Sequence, residues 1–259
     1  ICIEYANKYP DKIRLFLRDR KLTQYVTKDG RTIRFNGHFA RAAARGEYIA
    51  MCEGDDYWID GYKLQKQVQV LKNNKYVMSF TSYINDNNRH SIIMQPKSVY
   101  TLRDIIKKNY IATLTVMFKA KYLPKFDQEL STLWFGDLSL WLSIAQNGAI
   151  SNLKDCTAVH IVNKKGLTQT TSYKRKYDDK IVLWNSLNCK YHKRFPEALK
   201  VNIAINCCVY SRGLVLDGKY IKAFIYYFRS IRNNLSSETI AMQAKTLVFI
   251  LIKILSPIR

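Results

Sequence analysis

Arg45-Gly46-Glu47-Tyr48-Ile49-Ala50-Met51-Cys52-Glu53-Gly54-Asp55-Asp56-Tyr57-Trp58 decides the reading of this chain. An apolar run of strand length, Tyr48 to Cys52, delivers three carboxylates, Glu53, Asp55 and Asp56, around one glycine, and two aromatic residues follow. Carboxylates gathered at a strand end raise one another's proton affinity unless a cation neutralises them. Hard oxygen ligands in such a place suit Mg²⁺ or Mn²⁺, which keep water ligands and hold substrate phosphates. Gly-Asp-Asp is also ordinary turn chemistry between a strand and a helix. From this stretch alone both readings stand.

Working outward, the first 60 residues alternate in α/β style. A helix through Tyr9 leads to a strand at Ile13–Phe16, a polar loop, a helix from about Arg34 to Ala44, and the strand Tyr48–Cys52. Strands separated by helices of this length predict parallel βαβ units. Beyond the acidic turn, Leu64, Val68 and Leu71 share one helical face. Tyr76–Ile84 and Ser91–Met94, joined across Asn85-Asp86-Asn87-Asn88, read as a hairpin. Thr101–Lys108 reads as a short helix with Thr101 as cap and Asp104 as first-turn acid. A strand at Ala112–Phe118, a helix around Asp137–Gln146, and strands at Ala149–Leu153 and Thr157–Val162 complete this part. From Ser172 the strand pattern gives way to four helices, Ser172–Tyr191, Pro196–Leu214, Tyr220–Arg232 and Ser237–Leu255, with Asp217-Gly218 as a turn. The expected organisation is an α/β domain over 1–170 and a helical appendage over 171–259.

Composition sets the remaining bounds. With 259 residues, 47% of them hydrophobic and 13% aromatic, the chain buries a core and is not disordered. The charge is unusual: 42 Lys and Arg against 20 acids give +22. That field favours an anionic partner: nucleic acid, an anionic membrane surface or a phosphate-bearing substrate. No zinc-finger, RNP or helix-turn-helix signature accompanies it and the basic residues are scattered, so no nucleic acid is expected. The six cysteines show no C-x-x-C pair and read as buried free thiols of a reducing compartment. The residues from Ile1 read as the tail of an amphipathic helix rather than as a signal peptide. The strongly apolar Leu247–Leu255 is too short to span a bilayer, which takes about 20 residues.

A second acid completes the candidate chemistry. Trp134-Phe135-Gly136-Asp137-Leu138-Ser139-Leu140-Trp141 sets Asp137 at the start of an aromatic-rich helix. An Asp there caps the helix and complements its dipole. The aromatic setting could equally desolvate it and make it a better proton acceptor. A metal–diphosphate cluster plus one separate carboxylate base suffices to displace a nucleoside diphosphate from a sugar. Reading Asp55 and Asp137 as a glycosidase pair leaves the metal-like cluster without a purpose.

The segments Ala44–Ala50, Glu53-Gly54-Asp55-Asp56-Tyr57-Trp58 and Lys63-Leu64-Gln65-Lys66-Gln67, with Phe135–Trp141, resemble family 2 glycosyltransferases, bacterial enzymes of GT-A fold that build polysaccharide and lipopolysaccharide chains. The resemblance covers about residues 1–170. It implies an α/β GT-A fold, a Rossmann-like mixed sheet flanked by helices, followed here by the helical region. Glu53 and Asp55 would occupy the ends of a D-x-D-type motif with Asp56 beside them, holding Mg²⁺ or Mn²⁺ and the diphosphate of a nucleotide-sugar donor. Asp137 would be the general base of an inverting transfer to a glycan or lipid-linked acceptor.

Two departures qualify the match. Where members carry a histidine after the last strand, this chain has Asn163 in His160-Ile161-Val162-Asn163, leaving Asn163 as a further candidate metal ligand. The family's opening strand, Pro-x-Tyr-Asn-like turn, helix and second strand have no counterpart, so the expectation is an N-terminally truncated domain. An inactive remnant or scaffold is the alternative. Basic runs at Tyr173–Lys176 and Lys190–Arg194 and the apolar last helix suggest attraction to anionic lipid, and hence a cytoplasmic protein peripheral to the inner face of the plasma membrane.

Overall fold

The computed structural model describes residues 1–19, 25–26, 32–33, 35–86, 91–125, 136–163, 166 and 170–255. Trp134, Phe135, Asn87, Asn88 and Arg34, named above, lie outside them. The described residues fall into two compact units, one within 1–43 and the other from residue 44 onward.

The first unit holds α1 (Cys2–Lys8), a two-stranded antiparallel ladder of β1 (Tyr25–Val26) and β2 (Thr32–Ile33), and α2 (Phe35–Ala42). Ile13–Phe16 forms no strand, contrary to expectation: among the described residues no strand pairs with it, and the Ile13 N–H bonds back to the Tyr9 carbonyl at 2.9 Å. α1 buries none of its residues. Inside this unit the Arg14 guanidinium donates to the Ala43 carbonyl, and Arg18 lies 3.2 Å from the centre of the Phe39 ring.

The second unit is built on a mixed sheet. Its strands are β3 (Tyr48–Ala50), β4 (Tyr57–Trp58), β5 (Tyr76–Asp86), β6 (Ser91–Ile93), β7 (Val99–Tyr100), β8 (Met117–Lys119) and β9 (Ala149–Ile161). The order is β3-β8-β5-β9-β4, with β6 on β5 and β7 on β9. Only β5 and β9 run parallel; β3 pairs antiparallel with β8, so the expected succession of parallel βαβ units is not what forms. β5 is flanked on both edges and packed on both faces, which is why Val77, Met78, Ser79, Phe80, Thr81 and Ser82 are buried without alternation. The two predicted terminal strands are one strand, β9, whose register against β5 shifts near Cys156. The predicted strand at 112–118 becomes a 3₁₀ turn, Thr113–Thr115, leading into β8, since the Thr115 hydroxyl bonds back to the Ala112 carbonyl at 2.7 Å.

α3 (Lys63–Leu71), α4 (Leu102–Lys107) and α5 (Gly136–Ala145) flank this sheet, and Trp141 of α5 is fully buried. The predicted start of α4 holds: the Asp104 carboxylate accepts from the Thr101 N–H at 2.9 Å and from its hydroxyl at 2.8 Å. Four helices follow as expected: α6 (Tyr173–Tyr191), α7 (Pro196–Leu216), α8 (Tyr220–Asn233) and α9 (Ser237–Leu255). Gly218, with φ of 72°, takes the left-handed position that ends α7. By length and composition α7 could cross a membrane, a feature the sequence reading passed over. It is instead mostly buried, with α6, α8 and α9 around it. Gly213 of α7 admits Tyr173 of α6 so closely that a Cβ would lie 2.3 Å from the ring. The cysteines are free, but only Cys207 and Cys208 are buried; Cys52 is exposed because β3 stops at Ala50.

Candidate active site

β3 and β4 set the acidic residues between them as a tight turn. The Met51 N–H continues the ladder to Val116 at 3.1 Å, the Asp56 N–H closes the turn on the Glu53 carbonyl at 3.1 Å, and β4 pairs with β9. Asp56 Oδ1 accepts from the Ile161 N–H at 2.9 Å, tying the turn to the end of β9. The same backbone end carries Asn163 two residues on, and Asp86 of β5 stands opposite Ile161 in the parallel ladder.

A buried polar brace underlies the turn. Lys63 Nζ donates to Gln67 Oε1 at 2.6 Å and lies 4.5 Å from the centre of the Trp58 ring. Gln67 Nε2 donates to the Thr115 carbonyl at 2.9 Å and Ser79 Oγ at 3.2 Å, while the Trp58 indole N–H donates to the Leu114 carbonyl at 2.8 Å. Lys63 and Gln67 are both fully buried, so α3 is bolted to β4, β5 and the 3₁₀ turn. Burial pushes the Lys63 ammonium down to about 8.

Electrostatics join the two acidic segments. The Glu53 carboxyl is pushed up to about 7, by loss of water first, then by the charge and hydrogen bond of Asp56, then by the charges of Asp137 and Asp55. Glu53 therefore senses Asp137, which is remote in sequence. Asp137 occupies the first turn of α5. Burial raises its carboxyl above the usual range, against the N–H groups of Leu138 and Asp137, the Lys180 ammonium and the Asn109 side chain. Asn109 Oδ1 accepts from the Ile111 N–H at 3.0 Å, which turns its amide nitrogen to Asp137 as donor. Asp137 is thus held at a helix start and also has raised proton affinity. The two sequence readings of it are compatible.

Sequence reasoning named the four acids and missed three neighbours. Asn109 and Lys180 meet Asp137, and the Tyr83 phenol is raised by burial and by the Asp56 charge. The only local signal was an isolated amide, lysine and tyrosine, types that recur throughout the chain.

The acids fit a divalent cation in charge and chemistry, because like-charged oxygen donors stand together with one of them pushed to about 7. Among the described residues no group of three His, Cys, Asp or Glu side chains is arranged to hold a metal by itself. An open site of one or two carboxylates, completed by phosphate oxygens and water, is how Mg²⁺ is ordinarily bound.

No protein-family model matches the chain. Residues of this chain are 28% identical over 189 positions to the uncharacterized proteins Mb1547 of Mycobacterium bovis and Rv1520 of Mycobacterium tuberculosis, covering 71% of this chain and 50% of each relative. They are also 28% identical over 146 residues to the UDP-Glc:alpha-D-GlcNAc-diphosphoundecaprenol beta-1,3-glucosyltransferase WfgD of Escherichia coli, covering 56% of this chain and 55% of that enzyme. The chain spans about half the length of the curated relatives it matches. Over that part it bears a distant similarity to a glycosyltransferase.

Proposed function

We propose that this chain carries the catalytic centre of an inverting glycosyltransferase, moving a sugar from a nucleoside diphosphate donor to a hydroxyl of a glycan or lipid-linked acceptor in cell-surface polysaccharide synthesis. The observation that supports this most is that Asp137 stands near enough to the 53–56 turn for its charge to add to the burial and the Asp56 contact that raise the Glu53 carboxyl. The partial similarity to a glucosyltransferase, whose name gives a UDP-linked donor and a diphosphate-linked acceptor, points the same way.

Asp137 takes the proton of the acceptor hydroxyl as that oxygen bonds to the donor's anomeric carbon. The bond from that carbon to the phosphate oxygen breaks on the opposite face, and its electron pair leaves with the nucleoside diphosphate. Burial of Asp137 raises its affinity for that proton, while Asn109 and the start of α5 fix its orientation. Glu53, Asp55 and Asp56, with Asn163 nearby in the chain, would hold Mg²⁺ or Mn²⁺, which supplies positive charge to offset the leaving phosphates. Exposed apolar residues on α8 and α9 support a position at the inner membrane surface.

Thermal unfolding with uridine or guanosine diphosphate tests the donor site. One of the two raises the melting temperature only when Mn²⁺ or Mg²⁺ is also present, and E53Q/D55N removes the effect. Stabilisation by nucleotide that ignores the metal would overturn the assignment of these carboxylates.

A further inference from the structure

Lys180 sits where a lysine is costly. It follows the buried Tyr177 and precedes the buried Leu183 by three residues each, on a face of α6 that packs into the bundle. Tyr177 stacks on Tyr210 of α7 with centroids 4.2 Å apart, and Gly213 of α7 admits Tyr173 at the start of α6. Lys180 is itself partly buried, and loss of water lowers its proton affinity. A charge held on such a face needs a countercharge close by. The adjacent Asp179 pairs with Arg175 at 3.0 Å, and the acid that acts on Lys180 is Asp137.

Helix packing brings this residue of the tail to the candidate base. α5 packs on α4, α4 on α7, and α7 on α6. Asn202 of α7 donates to the Ile106 carbonyl at 2.7 Å and the Lys107 carbonyl at 3.3 Å, pinning the end of α4 to the bundle. That end leads to Asn109, whose amide donates to Asp137. Lys180, Asn109 and Asn202 line one cavity of about 250 Å³. Two kinds of neighbour therefore act around Asp137. Its charge and that of Glu53 repel, while the Asn109 amide and the Lys180 ammonium favour its ionised form.

We propose that Lys180, carried by the first helix of the tail, is a positioning residue of the transfer reaction, whose ammonium holds the Asp137 carboxylate ionised and in place to take the acceptor's proton. This role rests on the transferase reading above and extends the active centre into the helical tail. A base must be ionised before it accepts a proton, and burial and a nearby carboxylate both oppose that. A fixed cation beside it offsets them. Lys180 touches neither donor nor acceptor in this scheme; it acts through Asp137. The other charged groups around the same cavity are Lys107, Lys108 and, one turn earlier on α6, Lys176. Lys107 pairs with Glu238, and Lys108 and Lys176 lie 5.4 Å from the ring centres of Tyr110 and Tyr173. All three are cations, so they favour the ionised Asp137 and oppose the charge on Lys180.

Carboxyl ¹³C NMR of the full chain follows the titration of Asp137, its signal identified by its loss in D137N. K180M raises the Asp137 midpoint by about one pH unit, whereas K180R keeps that of the parent. D137N gives the reciprocal measurement: the Lys180 midpoint, read from its side-chain ¹³Cε resonance, falls by a similar step. An Asp137 midpoint untouched by K180M, or a Lys180 midpoint untouched by D137N, would overturn the pairing. The catalytic consequence is read from transfer between UDP-glucose and octyl diphosphate-linked N-acetylglucosamine. In K180M the acid limb of kcat moves to higher pH by the same step, because Asp137 must lose its proton to act, and the KM for UDP-glucose holds. K180R restores the profile. A uniformly lower kcat with the limb unshifted would reduce Lys180 to a structural role. No transfer by the unmodified chain, with the two midpoints still coupled, would sink the transferase reading for these substrates and leave the pair standing.

Discussion

Asp137 holds a helix start and is also the proposed base, and one substitution separates the two roles. Asparagine accepts the same N–H groups at a helix N-terminus, so D137N keeps the structural part. It cannot take a proton, so transfer falls by about 10²–10⁴-fold while the melting temperature stays close to that of the parent. Collapse of the fold in D137N would instead make the residue purely structural. The variant has a second readout, because the Asp137 charge helps push Glu53 to about 7. Removing that charge lowers the Glu53 pKa, so metal-dependent nucleotide binding, which needs the ionised carboxylate, extends to lower pH. At this scale the sequence was readable where chemistry is concentrated. Glu53, Asp55, Asp56 and Asp137 declared themselves as acids at element ends. Asn109, Lys180 and Tyr83 did not, since each matters through a partner distant in sequence.

Elements were legible in proportion to how much of their pattern is local. The helices of the tail form close to where apolar spacing and turn residues put them, whereas α3 forms in place but turns Lys63, Gln67 and Leu71 inward and leaves Leu64 of the predicted apolar face exposed. Strand pairing is not local: nothing in Tyr48–Cys52 announces that β3 runs antiparallel to Met117–Lys119, or that β4 adds to β9. The brace under the acidic turn was equally hidden, because Lys63 and Gln67 read as polar positions of an amphipathic helix yet are fully buried. Burying an ammonium has a pH signature whose sign is fixed. Lys63 titrates near 8 in the folded chain and near 10.5 when unfolded. Between those values the unfolded chain holds a proton that the folded one has released, so this residue makes stability rise with pH above about 8. Below about 8 its full cost is present. In K63M that contribution is removed, and urea unfolding at pH 7.5 and 9.5 gives a stability difference smaller by the Lys63 share. An unchanged difference would show that the Lys63 ammonium is solvated. Absolute stability is a poorer readout, since the substitution also takes from Gln67 Oε1 its 2.6 Å donor.

At the scale of the whole molecule, two features have no use inside the fold. One is the charge of +22, far beyond what solubility needs. The other is a pair of exposed apolar stripes at helical spacing: Ile221, Ile225 and Phe228 on α8, and Val248, Leu251, Ile252 and Leu255 on α9. Phe228 is 61% exposed and Leu255 77%, although Tyr227 and Ile250 on the same helices are buried in the bundle. Apolar stripes that bury nothing, on a strongly basic chain, match the two forces that hold a protein on an anionic bilayer. These forces respond differently to salt. The Coulombic part weakens as the Debye length shortens from about 10 Å at 0.1 M to about 3 Å at 1 M, while insertion of apolar side chains persists. Sedimentation with vesicles therefore gives binding to phosphatidylglycerol and far less to phosphatidylcholine, with a residual bound fraction at high salt. F228S/I252S removes that residue and lowers the low-salt partition coefficient about tenfold, because both side chains lie at the surface and their loss opens no core cavity. Binding that vanishes completely in salt and ignores F228S/I252S would leave charge as the whole attraction. Absence of binding to either vesicle would remove the membrane from the proposed setting without touching the donor site.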